Sequence, residues 1–266
     1  MLVMLMVTIV LHSSPALAWN GEGHQLIAWI AEERLSENAK VGTKELLADA
    51  SLSDAQVASW ADHIRRERRS SAPWHYVNIP VDAQGYDPAK HGNGGENVID
   101  AIERFAKVLA DKKAQKEERV EALKFLVHFV GDLHQPLHCA DRNGDKGGNA
   151  RLVFFPGRKK AVSLHMVWDS LILPRSKGKQ SVADYGDALN DRITEEQAKA
   201  WAQGRPKDWA AECWQIAREV VYRGVPPAGD PPAIAEEYIV RAQPVVDEQI
   251  QKAGVRVAAA LNLAFR

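Results

Sequence analysis

The chain has 266 residues, and 45% of them are apolar, which is enough for one large domain or two small ones. No composition shift and no linker marks an internal boundary, so we predict one domain over residues 19–266. The net charge is −1 at pH 7. This near-neutral charge argues against a protein that binds nucleic acid through a broad basic surface, so any affinity for nucleic acid must come from a local site.

The N-terminus has the composition of an export signal. The apolar run 1–11 is followed by Pro15 and the small-residue sequence Ala16-Leu17-Ala18, which is typical of a secretory signal and its cleavage site. We therefore predict a signal peptide over residues 1–18, cleavage between Ala18 and Trp19, and a periplasmic or secreted protein. No Lys or Arg precedes the run, and a buried N-terminal helix is the alternative. No other stretch is apolar enough to cross a membrane.

Apolar residues at helical spacing dominate the rest of the chain, so we predict an all-α fold, a single mainly helical domain with long irregular loops. Two capping boxes, Ser53–Gln56 and Thr194–Gln197, predict helix starts. Pro244 predicts a kink or break in the last helix, and Leu152–Phe155 is the one strand candidate. The predicted helical segments, in chain order, are 53–64, 98–109, 120–130, the segment opened by Thr194, 209–221 and 233–265.

The two cysteines, Cys139 and Cys213, leave two interpretations open. In an oxidising compartment they could form one disulfide, and two buried or free thiols are the alternative. A zinc site built on thiolates is not expected, because neither cysteine has a second cysteine at C-x-x-C spacing.

Histidine and aspartate recur at a spacing that suits metal binding. His128 and Asp132 are four residues apart and share one face of a predicted helix, and His138 can fold back from the turn that follows. The same spacing recurs in His165 and Asp169. A lone pair of this kind is more often a surface or capping interaction. Two pairs with a third histidine at a helix end instead indicate a site for Zn²⁺ or a similar divalent metal.

Motifs between Trp19 and Asp169 resemble those of a known family. They read Trp19-Asn-Gly-Glu-Gly-His24, Trp60-Ala-Asp62, Trp74-His75-Tyr76, the segment His128–His138, and His165-Met-Val-Trp-Asp169. In these motifs the sequence resembles the zinc-dependent single-strand nucleases of fungi and plants, the S1 and P1 nucleases, and their bacterial relatives. The C-terminal third matches only in helical character. The resemblance implies nine zinc-ligand positions, which here are Trp19, His24, Asp62, His75, His128, Asp132, His138, His165 and Asp169.

The resemblance also implies how these residues divide among three Zn²⁺ ions. Asp62, His75, His128 and Asp132 would hold the first ion, Trp19, His24 and Asp132 the second, and His138, His165 and Asp169 the third. The first two ions would share a hydroxide that attacks phosphorus, since zinc lowers the pKa of bound water to about 7. Trp19 would bind through its α-amine and carbonyl, which requires cleavage directly before it, so the metal site and the predicted signal support each other.

Residues near the ligands receive substrate roles from the same resemblance. Arg65 lies three residues after Asp62 and would clamp the phosphate and stabilise the transition state, so these two are the expected catalytic residues. A solvated basic face is the alternative, because further arginines follow. Tyr76 would stack on a base, with a core tyrosine as the alternative, and Asn78 would contact the base edge. Asn149 resembles a loop residue near the site.

The function implied by the resemblance is a secreted zinc-dependent endonuclease that cleaves single-stranded DNA and RNA to 5′-phosphorylated products, with 3′-nucleotidase activity. We expect a monomer without stable membrane association. A zinc-dependent phospholipase C is the nearest alternative, but its last ligand is typically Glu where this chain has Asp169, and its first histidine lies further from the tryptophan than His24 does. A non-catalytic zinc-binding protein is the second alternative.

Overall fold

The computed structural model describes residues 19–266, so the predicted signal peptide lies outside the described residues. Within that range the chain is mainly helical, which confirms the predicted all-α class. The helices, in chain order, are α1 (Gly21–Glu32), α2 (Glu37–Leu47), α3 (Ala55–Ala58), α4 (Trp60–Glu67), α5 (Pro88–His91), α6 (Val98–Ala110), α7 (Lys116–Leu133), α8 (Leu164–Met166), α9 (Leu173–Lys177), α10 (Val182–Asn190), α11 (Glu195–Trp201), α12 (Pro206–Ile216) and α13 (Glu236–Ala264).

A two-stranded antiparallel ribbon, formed by β1 (Leu152–Val153) and β2 (Val162–Ser163), is the only sheet among residues 19–266. It confirms the strand predicted from Leu152, but that strand is shorter than expected. Phe154 leaves the ribbon and forms a parallel bridge with Ala233 instead. Turns of 3₁₀ helix occupy Arg69–His75, Asn93–Gly95 and Pro136–Cys139, and π-helical turns occupy Val167–Leu171 and Ala217–Val221.

The centre of the fold is the C-terminal half of α7. This helix packs against α6, α13 and α4, and every residue from Phe125 to Leu133 is buried. A helix that is buried on all sides needs apolar residues all round, and this stretch is apolar except at His128 and Asp132. Those two polar side chains must therefore find their partners inside the protein.

The first helix brings a further polar residue to the same place. α1 packs against α13 and α10, and the Asn20 side chain caps it by accepting from the Gly23 backbone N–H at 3.0 Å. His24 faces α7 at Gly131, where a Cβ atom would lie only 2.8 Å from His24 Nδ1. The glycine thus allows the histidine to approach the buried part of α7.

One of the two predicted capping boxes is wrong. Asp54, not Ser53, stands at the N-cap of α3, and the Ser53 hydroxyl donates to the Glu32 carboxylate at 2.8 Å. The helix also stops at Ser59 and restarts as α4, so the predicted helix 53–64 is divided. The capping box at Thr194 is confirmed at the start of α11.

Pro244 does not break the last helix. α13 continues through it from Glu236 to Ala264. Proline removes the hydrogen bond to the carbonyl four residues earlier, that of Val240. Val240 is 63% exposed and Pro244 is exposed as well, so that carbonyl is on the solvent side of the helix. No helix within residues 19–266 combines the length and apolar character needed to cross a bilayer.

Both cysteines are buried free thiols, in agreement with the second of the two interpretations. The Cys139 thiol donates to the Leu133 carbonyl at 3.2 Å, and the Cys213 thiol donates to the Gln249 side chain at 3.4 Å.

Candidate active site

The first described residue, Trp19, is anchored between two parts of the site. Its fully buried indole donates its N–H to the Gly131 carbonyl on α7 at 3.0 Å. The next backbone N–H, that of Asn20, donates to the Asp169 carbonyl at 2.9 Å. The start of the domain therefore lies against both the helix that carries Asp132 and the turn that carries Asp169.

A buried carboxylate organises the first group of polar side chains, which we name the Asp132 cluster. Its members are His24, Asp62, His75, His128 and Asp132. Asp132 Oδ1 lies 3.3 Å from His24 Nε2, whereas Oδ2 lies 2.8 Å from His75 Nδ1 and 3.3 Å from His128 Nε2. Asp62 Oδ1 lies 3.8 Å from His128 Nε2 and 3.9 Å from His75 Nδ1. Donor atoms from α1, α4, the first 3₁₀ turn and α7 thus converge on one small volume.

Several atoms of the Asp132 cluster are buried without a hydrogen bond. The His128 ring is held at Nδ1 by the Ala58 carbonyl at 2.9 Å, which directs Nε2 into the cluster. The His24 ring stacks on it with centroids 3.9 Å apart. The buried atoms that make no hydrogen bond among residues 19–266 include both ring nitrogens of His24, His75 Nε2, His128 Nε2, Asp62 Oδ1 and Asp132 Oδ1. Such atoms normally have a partner, and a cation would supply one.

The charges in the Asp132 cluster call for a positive partner. Burial opposes protonation of His128, but Asp132 and Asp62 outweigh it and raise its pKa to about 9. Burial also acts to raise the pKa of Asp132, yet His128 and the other two histidines hold it well below its usual range. Burial lowers the pKa of His24 and of His75. The pair of carboxylates therefore retains a proton on His128 in a place where a metal cation could replace it.

A second group, which we name the Asp169 cluster, consists of His138, His165 and Asp169. His165 Nε2 lies 3.2 Å from His138 Nε2 and 3.2 Å from Asp169 Oδ2. Each imidazole contacts a backbone carbonyl through Nδ1 at 2.6 Å, His138 that of His75 and His165 that of Gly147. A carbonyl can only accept, so each Nδ1 carries the proton and each Nε2 presents a lone pair to the cluster.

Burial keeps both imidazoles of the Asp169 cluster neutral. It lowers the pKa of His138 to about 3 and that of His165 to about 4. Burial also raises the pKa of Asp169 well above its usual range. Neutral imidazole is the form that binds a metal, so these two rings need to lose no proton first.

Arg65 lies near both clusters. Its Nη2 is 3.6 Å from Asp62 Oδ1, three residues earlier on α4, and only 11% of its side chain is exposed. Burial is the main cause that lowers the pKa of His75 in one cluster and of His165 in the other. The positive charge of Arg65 lowers both pKa values further. A guanidinium in this position could donate to an anion that both clusters face.

The entire described chain matches one protein family. The family described as S1/P1 Nuclease matches residues 19–266. The chain belongs to the S1/P1 nuclease family. Endonuclease 2 of Arabidopsis thaliana is 34% identical to it over 99% of this chain and 97% of its own length. Nuclease S1 of Aspergillus oryzae is 30% identical over 92% and 91%, and Nuclease P1 of Penicillium citrinum is 32% identical over 70% and 64%.

Membership of the S1/P1 nuclease family confirms the resemblance seen in the motifs. The match also includes the C-terminal third, where the sequence resembles the family only in helical character. The relatives are named nucleases and endonucleases, and nucleases are phosphodiesterases, so this is a family of hydrolases.

In this member of the S1/P1 nuclease family, two exposed side chains follow His75 along an extended segment. Tyr76 is 40% exposed, Asn78 is exposed, and Val77 between them is buried. The Val77 N–H donates to the His138 carbonyl at 2.8 Å, which fixes the segment beside the site. Alternation along an extended chain directs Tyr76 and Asn78 to the same side, toward solvent. Tyr76 is therefore not a core residue.

Asn149 lies in the glycine-rich loop that orients His165. Its half-buried side chain donates to the Lys146 carbonyl at 2.9 Å, so its amide N–H is used within the loop. Gly147 in the same loop has a φ of +61°, a conformation that favours glycine, and its carbonyl is the one that holds His165 Nδ1.

Two buried polar residues with partners near the end of α7, Gln135 and Arg256, were not assigned a role from the sequence. Gln135 donates its side-chain amide to Asp169 Oδ1. Arg256 of α13 contacts His134 Nε2 at 2.8 Å and both oxygens of Glu212 at 2.9 Å. An arginine within an otherwise apolar stretch of helix is a signal for an internal partner, but sequence alone does not identify that partner.

Proposed function

We propose that the chain is a zinc-dependent endonuclease that hydrolyses the phosphodiester bonds of single-stranded DNA and RNA. The products would carry 5′-phosphates, and 3′-nucleotides would be dephosphorylated as well. The observation that carries the proposal is the convergence of buried imidazole nitrogens and carboxylate oxygens in two neighbouring clusters. Family membership supports the reaction class, and the clusters support its dependence on metal.

The three groups of donor atoms support a centre of three Zn²⁺ ions. In this assignment Asp62, His75, His128 and Asp132 hold the first ion, the Trp19 α-amine and carbonyl with His24 and Asp132 the second, and His138, His165 and Asp169 the third. Imidazole combined with carboxylate is a ligand set that zinc prefers. When bound, zinc supplies a nucleophile at neutral pH by lowering the pKa of bound water to about 7. Three divalent ions against three carboxylates would leave a local positive charge, which attracts phosphate even though the protein carries −1.

The residues around the clusters would bind and orient the nucleic acid. Arg65, beside Asp62, would donate to the phosphate oxygens and stabilise the charge that develops there. Tyr76 would stack on a base, and Asn78, on the same side of the segment, would contact the base edge. A base in a duplex already has its faces covered, so stacking on a protein ring favours an unpaired strand. Asn149 would contribute through the loop that orients His165.

Export and signal cleavage would supply the last proposed zinc ligand, the α-amine of Trp19. In this proposal residues 1–18 are a signal peptide, and cleavage after Ala18 frees the α-amine of Trp19 in the periplasm or outside the cell. The anchoring of Trp19 against α7 and of Asn20 against Asp169 supports this, because it brings the start of the domain to the metal ligands. The enzyme would act as a monomer without stable membrane association.

The role of the terminal amine can be tested with one added residue. We expect protein that begins at Trp19 to bind three zinc ions, and protein with an alanine before Trp19 to bind fewer and to turn over more slowly. Metal analysis and kinetics on the same samples measure both effects. Equal zinc content and equal turnover would contradict a role for the amine.

The function itself is tested by product analysis. We expect the processed protein to release fragments with 5′-phosphate ends from heat-denatured DNA and from RNA, to lose this activity on chelation and to regain it with added zinc. Phosphatidylcholine is assayed in parallel, and its hydrolysis in place of nucleic acid would identify a phospholipase C. Stoichiometric zinc without either activity would identify a non-catalytic zinc-binding protein.

A further inference from the structure

Gln135 is a fully buried polar residue in the turn that links the two clusters. Its backbone N–H donates to the Asp132 carbonyl at 3.0 Å, and its own carbonyl accepts from the His138 N–H at 2.8 Å. Its side chain makes two more hydrogen bonds, to the Leu137 N–H through Oε1 and to Asp169 Oδ1 through Nε2. One residue thus contacts the end of α7, a histidine of the Asp169 cluster and the carboxylate of that cluster.

The partners of this amide determine its orientation. The Leu137 N–H, at 2.6 Å, can only donate, so the oxygen of the Gln135 amide must face it. The NH₂ group then faces Asp169, which accepts. The reverse orientation would place two donors together on one side and two acceptors on the other, so the side chain cannot rotate by half a turn without losing both bonds.

Because this donor is fixed, the two carboxylate oxygens of Asp169 have different partners. Oδ1 accepts from Gln135, whereas Oδ2 lies 3.2 Å from His165 Nε2 and faces the histidines. Without the donor, the carboxylate could rotate and exchange its oxygens. Partners that hold a metal ligand in one orientation commonly change metal affinity by about 10- to 100-fold when they are removed.

We propose that Gln135 is a positioning residue that holds Asp169 so that only Oδ2 is offered to the metal, and that it thereby sets the affinity of the Asp169 cluster for its ion. This inference rests on the proposed zinc centre, but it concerns binding of one ion and not turnover. It predicts that loss of the donor weakens the Asp169 cluster and leaves the Asp132 cluster occupied.

The test is a zinc titration of the metal-free processed protein against a chromophoric chelator, with Gln135→Met compared with the natural protein. Methionine keeps the length of the side chain and removes both hydrogen bonds. We expect one zinc ion to be bound about 10- to 100-fold more weakly and the remaining ions to keep their affinity. Gln251→Met is the matched control, because Gln251 is also buried, donates to the Leu189 carbonyl at 2.7 Å and belongs to neither cluster.

A second variant keeps the test decisive if Gln135→Met folds poorly. Gln135→Glu retains the size of the side chain and the acceptor for Leu137, and it replaces the donor that faces Asp169 by a carboxylate oxygen, which repels Asp169 Oδ1. We expect it to weaken the same ion. The double variant with Asp169→Asn should be no weaker at that ion than Asp169→Asn alone, because the two residues act as one unit.

Cobalt substitution gives a readout that general destabilisation would not move. We expect Gln135→Met and Asp169→Asn to change the same visible bands of the cobalt protein, and Gln251→Met to change none. Natural zinc affinity together with an unchanged cobalt spectrum in folded Gln135→Met would overturn the inference. Failure of the proposed zinc centre is distinguishable, because the unsubstituted protein would then already bind no ion in the Asp169 cluster.

Discussion

The Asp132 and Asp169 clusters use the same residue types, but different contacts hold them. In the Asp132 cluster the ring nitrogens of His24, His75 and His128 face one carboxylate at 2.8–3.3 Å. In the Asp169 cluster each imidazole is held at its outer nitrogen by a backbone carbonyl at 2.6 Å, and the carboxylate is held by an amide. In the Asp132 cluster His128 alone has such a carbonyl contact among the described residues.

This difference separates two ways of preparing a metal site. In the Asp132 cluster the two carboxylates outweigh burial at His128 and keep a proton on it, so this cluster requires positive charge. Burial dominates the Asp169 cluster and keeps His138 and His165 neutral, so this cluster is defined by the direction of its lone pairs. The first is expected to respond most strongly to the loss of a charge and the second to the loss of an orienting contact.

The largest effect is expected from the shared carboxylate. Asp132→Asn should remove zinc from the Asp132 cluster, because a buried charge network that loses one partner is destabilised by about 3–5 kcal/mol, a factor of hundreds to thousands in affinity. Asp169→Asn should remove one ion only. Metal analysis after dialysis measures both, with Asp247→Asn as the control, since Asp247 accepts from Tyr185 outside both clusters. Equal zinc loss from the two cluster variants would remove the distinction between them.

Arg65 tests whether the two clusters act on one substrate group. We expect Arg65→Ala to lower kcat by about 10²- to 10³-fold, as does the loss of other donors that stabilise a developing charge, and to leave the zinc content unchanged. Its exposed neighbour Arg66 provides the control Arg66→Ala, which should change little. Unchanged kcat in Arg65→Ala would exclude the role, and lost zinc would show that the residue supports the cluster instead.

Tyr76 tests whether a base of the substrate stacks on the ring next to His75. Tyr76→Ala should raise KM for single-stranded DNA by about 5- to 150-fold, which corresponds to the 1–3 kcal/mol typical of one stacked base. Tyr76→Phe keeps the ring and should retain most of the affinity. Steady-state kinetics on short oligonucleotides measure the effect, and a KM that is the same in all three proteins would place the base elsewhere.

The smallest expected effect is an opposite pH dependence of the contributions of His128 and His165 to the stability of the metal-free protein. His128 has a raised pKa, so its stabilising contribution is complete below about 6.5 and is lost as pH rises through about 9. His165 has a lowered pKa, so the protein loses stability as pH falls from about 6.5 toward 4. The contribution of His128 should amount to about 0.5–1.5 kcal/mol between pH 8 and 9, and the stability lost through His165 should amount to about 2 kcal/mol at pH 5.

Urea unfolding of chelator-treated protein from pH 5 to 9.5 measures this dependence. The difference in free energy of unfolding between the natural protein and His128→Asn should become smaller as pH rises toward 9.5. As pH falls to 5, the free energy of unfolding of His165→Asn should decrease less than that of the natural protein. Differences that move in the same direction with pH would show that the two clusters do not differ in the way their charges suggest.

Local spacing accounts for the parts of the fold and site that the sequence predicts. The pairs His128–Asp132 and His165–Asp169 face each other as helical spacing requires, and the main helices form where apolar residues repeat. Arg65 also reaches Asp62 as the three-residue spacing implies. Contacts between residues close in sequence can be inferred from periodicity, because the helix fixes their geometry.

Contacts between distant residues account for what spacing alone could not predict. Ser53 fails as a cap because its hydroxyl is bound to Glu32, a residue of another helix. Gln135 cannot be recognised as a partner of Asp169, because the two residues are 34 positions apart and no spacing rule joins them. His24 reaches Asp132 only because α1 crosses α7 at a glycine. Each of these contacts depends on how the helices pack.

The contact between Arg256 and His134 has a consequence for the minimal size of the enzyme. All the proposed zinc ligands precede residue 170, which suggests that a shortened nuclease could be made by trimming the remainder. Such a trimmed protein would lose Arg256, and with it the donor to the buried ring at the end of α7. Because α13 also packs against α1, α6 and α7, it supports the helices that carry proposed ligands, and engineering for compactness must begin from the surface loops.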